Sequence, residues 1–102
     1  MGHMNDYPSK AEFEAAVGSE FIMELDDGAS IPVRLKKCDT KSDTPLQECF
    51  SLIFVAPDEI PPAQMMRPLK HAVLGEMTIF LVPVKRDTAG LYFEAVFNRL
   101  RA

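Results

Sequence analysis

From Glu20 to Val33 the apolar residues fall on alternate positions on both sides of an Asp-Asp-Gly turn. Phe21, Met23 and Leu25 alternate with Glu20, Ile22 and Glu24, the period of a strand with one buried face. Phase decides the turn. If Asp26-Asp27-Gly28 is a three-residue loop, with Gly28 in the left-handed position of a type I turn plus G1 bulge, then Leu25 faces Ala29, Met23 faces Ile31 and Phe21 faces Val33. Both apolar rows then share one side. A two-residue Asp27-Gly28 turn would set the same residues against Ser30, Pro32 and Arg34, with the second apolar row on the wrong face. A bulged hairpin is therefore expected, and it commits the chain to antiparallel pairing.

Local patterns place the remaining elements in the same way. Ser9 followed three residues later by Glu12 is a capping-box pattern, and Phe13, Ala16 and Val17 form one apolar stripe ahead of Gly18, a suitable helix stop. A helix this short cannot stand alone in water, so it should close one end or edge of a sheet. Ile31 to Cys38 reads as the second strand, and polar Asp39 to Thr44, followed by Pro45, as a surface loop. Glu48 to Ala56 is apolar on both faces, which predicts a central or covered strand. Pro57 to Pro62 cannot continue a ladder. Gln64 to His71 is a strand that Pro68 should confine to an edge. Met77 to Val84 is again apolar on both faces and should pair with Leu91 to Asn98 across a polar turn at Arg86 to Gly90. The expected class is mainly β, with α+β as the alternative description. It comprises five or six antiparallel strands in a meander, as a small barrel or a strongly twisted sheet, with one short N-terminal helix.

Composition narrows the function. The 102 residues carry a net charge of −4 and are 47% hydrophobic and 25% charged, as expected of one soluble domain. Met1-Gly2-His3-Met4 reads as a cloning remnant, and residues 5–102 as a single domain. The roughly 18 uninterrupted apolar residues of a membrane span are lacking. The acidic balance, with only Lys36-Lys37 and Arg99-Arg101 as basic clusters, argues against nucleic acid as a partner. With no export signal and only two cysteines, the expected compartment is the reducing cytoplasm.

Several segments resemble a bacterial domain family of unknown function, about a hundred residues long. They are Phe21 to Gly28, Phe50 to Phe54, His71 with Leu74-Gly75, Phe80-Leu81-Val82-Pro83-Val84, and Tyr92 to Asn98. The resemblance covers roughly residues 13 to 98. It implies a small β-rich unit, in some members associated with phage-tail-like proteins, and it supplies no catalytic residues. The two cysteines and Tyr92-Phe93 depart from the family pattern, so a site built on them would be peculiar to this chain.

Candidate chemistry is sparse. His71 is the only imidazole outside the remnant, and Cys38 and Cys49 are the only thiols. Alternation puts both cysteines on the face opposite Leu35, Phe50 and Leu52. There they are either unconnected small residues, a disulfide, or half of a metal site that lacks its remaining ligands. No cofactor and no metal is expected. His71 is expected to donate to a backbone carbonyl in the turn after it; the alternative is a base in a binding or catalytic site. Asp26, Asp27, Asp58 and Glu59 lack the spacing of a calcium loop and read as solvated turn residues. The feature that invites a partner is the segment carrying Ile60, Met65, Met66 and Leu69, with His71 at its end. It is apolar, bordered by proline and methionine-rich, beside a strand edge. The alternative there is burial across a barrel mouth. The leading expectation is a non-catalytic protein-binding or structural module, monomeric or weakly dimeric. A small-molecule binder or enzyme with its site near His71 is the alternative.

Overall fold

A computed structural model describes residues 7–25, 28–57 and 65–100. Asp26, Asp27, Asp58, Glu59, Ile60 and Met1 to Met4 lie outside the described residues. One short helix, α1 (Lys10–Ala15), precedes six strands: β1 (Glu20–Glu24), β2 (Ser30–Asp43), β3 (Gln47–Ala56), β4 (Met65–His71), β5 (Gly75–Asp87) and β6 (Gly90–Leu100). The strands close a ring in the order β1-β2-β3-β6-β5-β4, and every neighbouring pair is antiparallel. The chain is therefore mainly β, as its alternation predicts. The meander runs in two halves, β1-β2-β3 and β4-β5-β6, joined where β3 pairs with β6 and β1 with β4.

The first hairpin has the expected register, with Phe21 opposite Val33 and Met23 opposite Ile31. The Leu25 N–H donates to the Ala29 carbonyl at 2.8 Å, and Gly28 has φ +86°, the left-handed conformation its place requires. Elsewhere the structure departs from the local patterns. Asp39 to Asp43 is no loop, because β3 offers a continuous partner and β2 stays on the ladder as far as Asp43. A polar stretch needs only hydrogen-bond partners and a wet face to remain a strand. Register shifts occur between Leu35 and Lys37 and between Thr40 and Ser42, and the first reverses the phase of the residues after it. Cys38 consequently pairs with Leu52 and packs against the core instead of lying on the opposite face. Pro68 sits on a strand with two neighbours, but β4 meets β1 only at Leu69 and Lys70, so the proline itself pairs on the β5 side alone. At Pro83 the strand continues through a register shift between Pro83 and Lys85, which accommodates the missing donor.

The core fills the ring with Phe21, Met23, Leu35, Phe50, Leu52, Phe54, Leu69 and Leu81, all 0 to 1% exposed. Helix α1 closes one end. Its capping box forms as expected, with the Ser9 hydroxyl accepting from the Glu12 N–H and the Glu12 carboxylate accepting from the Ser9 N–H. Phe13 is fully buried, 5.4 Å from the Phe97 ring and 6.1 Å from that of Phe50. Val17 does not extend this stripe; the helix stops at Ala15 and Val17 is exposed on the following turn. At the far end of the plug the Gly18 N–H donates to the Leu35 carbonyl at 2.7 Å.

Candidate functional site

Among the described residues, the side-chain pair that could suggest catalysis is formed by residues 52 positions apart, His71 and Ser19, with Nε2 to Oγ at 2.8 Å. The pairing of β1 with β4 brings them together, since Ile22 lies opposite Lys70 and the Phe21 and His71 rings are 4.4 Å apart. Hydrogen-bond polarity decides what the pair can do. His71 Nδ1 accepts from the N–H groups of Val73, at 3.0 Å, and Leu74, at 3.1 Å, so the ring proton stands on Nε2 and donates to Ser19. The Ser19 hydroxyl in turn donates to the Ala16 carbonyl. A base activating a serine needs the reverse arrangement, with Nε2 as the acceptor. His71 thus joins the β4–β5 turn to the start of β1. The expected donation to a turn carbonyl is replaced by acceptance from turn amides, because residues 73 and 74 direct their N–H groups back at the ring.

The thiols do not meet. Cys38 lies opposite Leu52 on the core side, whereas Cys49 lies opposite Ser42 and Asn98 and alternates with core residue Phe50. Side chains on opposite faces of a sheet, offset along the ladder, cannot reach disulfide geometry, and both cysteines are free. Burial pushes the Cys38 thiol up from its ordinary range. Among the described residues, no three His, Cys, Asp or Glu side chains are grouped to hold a metal ion. No helix among them is long and apolar enough to cross a membrane.

The segment singled out for docking divides. Leu69 is fully buried and belongs to the core, because alternation along β4 turns it inward; it is removed from the candidate surface. Met65 begins β4 opposite Leu81. Met66 is 53% exposed and lies opposite Phe80, which is 48% exposed. Val96 of β6, whose register partner on β3 is Ser51, is also exposed. These side chains border a groove of about 890 Å³, whose lining includes Tyr7, Met66, Phe80, Val96, Asn98 and Arg99. Sequence reasoning missed Phe80, Val96 and Tyr7. The available signal was the two-sided apolar pattern of Phe80-Leu81-Val82-Pro83-Val84, which describes a half-exposed strand as well as a covered one.

The groove lies where β5 and β6 part. Their pairing begins at the Asp87–Gly90 turn and ends at Val82 opposite Glu94. Beyond that point β5 pairs with β4 alone and β6 with β3 alone. The chain before α1 enters this opening: the Tyr7 hydroxyl donates to the Thr78 carbonyl at 2.6 Å, and Arg99 donates to the Pro8 carbonyl at 2.7 Å. The Tyr7 ring meets Phe97 edge-on at 5.3 Å, and the Arg99 guanidinium lies 5.3 Å from both Phe50 and Phe97, rings that stack on each other. What remains is a concave surface of mixed character, with apolar Met66, Ile79, Phe80, Val82 and Val96 beside polar Glu94, Asn98 and Arg99.

The family described as Domain of unknown function (DUF6916) matches residues 8–97. No curated protein and no solved structure matches the chain.

Proposed function

The chain belongs to the DUF6916 family, a domain of unknown function, and from that premise we propose that it is a non-catalytic protein-binding module. It works by surface contact through the outer face of β4, β5 and β6. The carrying observation is the exposed apolar row of Met66, Phe80 and Val96 beside the groove. Large apolar side chains clustered at a concavity mark an interaction surface more often than scattered ones do. Methionine at the rim adds adaptability to the partner's shape. Of the residues singled out from the sequence, Met66 carries this reading. His71 is a neighbour that shapes the adjoining turn. The resemblance to domains associated with phage-tail-like proteins adds the partner's setting, a component of a tail-like assembly.

Affinity capture from the source organism tests this, with wild-type and Phe80→Asp baits matched for folding by circular dichroism. The expected result is a protein retained by wild type and lost with Phe80→Asp. Identical captures with both baits would refute the reading.

A further inference from the structure

We infer that the opening between β5 and β6 is a strand-addition site for an extended peptide segment of a partner protein, with apolar side chains at alternate positions. This rests on the protein-binding reading above and specifies its mode. Peptide groups two residues apart in a strand point the same way. The Thr78 carbonyl takes the Tyr7 hydroxyl, so Thr78 and Phe80 turn their backbone groups toward the opening. Continuing the register from Val82 opposite Glu94 turns those of Val96 and Asn98 toward it from β6. Among the described residues these positions have no ladder partner across the opening.

Facing rows of N–H and C=O groups that, the Thr78 carbonyl apart, have no ladder partner among the described residues call for a ligand that supplies both, repeated at strand spacing. A peptide backbone does this; a helix has already satisfied its own groups, and an apolar small molecule has none. The side chains fit the same occupant. Met66, Phe80 and Val96 stand exposed beside the opening and provide apolar seats for every second residue of an added strand. The chain's own Tyr7-Pro8 shows the opening accepting a polypeptide at one end, through Thr78 and Arg99. The stretch from Phe80 and Asn98 up to the Val82–Glu94 pair is left for the partner.

A displayed library of random peptides of about eight residues provides the probe, more than enough for the roughly three to five residues that the free stretch seats at about 3.3 Å per residue. Selected peptides should carry apolar residues at alternate positions and slow the amide exchange of Phe80, Val96 and Asn98. Phe80→Asp and Asn98→Pro should each weaken binding by about tenfold or more, the second by removing a donor that an unpaired edge can spare. Val17→Asp, at an exposed turn residue beside the Gly18 bond to β2 and away from the opening, should change it by less than about twofold. If Asn98→Pro does not fold, exchange protection in the wild-type complex decides. Binders that depend on Phe80 but show helical spacing, or leave those amides unprotected, would overturn strand addition and leave the protein-binding reading standing. A library without binders would also overturn strand addition, and the Phe80→Asp capture would still decide the broader reading.

Discussion

Replacing His71 separates a structural bridge from a catalytic base, because its two ring nitrogens hold different parts of the fold. Nδ1 accepts from Val73 and Leu74, and Nε2 donates to Ser19. A hydrogen bond contributes a net of about 0.5 to 1.5 kcal/mol, and water replaces most of an exposed one. The Val73 bond is exposed, while those to Leu74 and Ser19 are partly buried. With the lost contact to Phe21, His71→Ala should cost about 2 to 3 kcal/mol. Asparagine can place Oδ1 near the position of Nδ1 and accept turn amides, as in an Asx turn, so His71→Asn should recover about 1 kcal/mol while still losing Ser19. A double-mutant cycle of His71→Ala with Ser19→Ala should give a coupling of about 0.5 to 1.5 kcal/mol. Urea unfolding at constant m-value measures the wild type and each variant. If asparagine proves no better than alanine, His71 Nδ1 does not accept the turn amides, and if the coupling is zero, His71 does not bridge to Ser19.

Gly90 opens β6 at φ +136°, and a Cβ there would collide with the Ala56 carbonyl oxygen. Gly90→Ala should therefore cost about 3 kcal/mol or more in urea unfolding; a change within about 0.5 kcal/mol would contradict that close approach. Ser51 is 1% exposed, and its hydroxyl has no hydrogen-bond partner among the described residues. Ser51→Ala should raise the urea midpoint by the equivalent of about 1 kcal/mol, and a lowered midpoint would mean that the hydroxyl is bonded. Asp87 is held below its ordinary 3.8 by the Ala89 N–H, with the Tyr92 hydroxyl and Lys85 adding to the effect. A carboxylate depressed by folding stabilises fully above its unfolded value and loses that contribution as pH falls through the folded one. The stability gap between wild type and Asp87→Ala should thus be constant near neutrality and close from about pH 4 downward; a gap that widens in acid would reverse the assignment.

Period and turn chemistry in the sequence specify the capping box, the bulged first hairpin and the two-faced β3, because each depends on residues close together in the chain. The ring depends on β1 meeting β4 and β3 meeting β6, and no local pattern encodes those pairings. Ser19 escapes sequence reasoning for that reason, as it reaches His71 only through the β1–β4 pairing. Bulges explain the error at Cys38: one inserted residue, Lys36, reverses the phase, and nothing in Leu35 to Cys38 announces it. The polar run after Cys38 misleads because polarity reports a wet face, and a strand can have one. On β5 the error runs the other way. Phe80 and Val84 suggest a covered second face, yet both are about half exposed at 48%. Apolar side chains on two faces of a strand reveal burial or a waiting interface, and only the packing tells which.

Amide hydrogen exchange on the free wild-type protein tests the open edge beneath the binding face most directly. Continuing the ladder registers turns the amides of Phe80, Val96 and Asn98 toward the opening and those of Ala95 and Phe97 toward β3, where Leu52 and Phe50 are their register partners. Exchange at the first three should be faster than at Ala95 and Phe97 by on the order of a hundredfold. Equal protection in both sets would mean that β5 and β6 are paired along their whole length, and the groove would then have no free strand edge to offer.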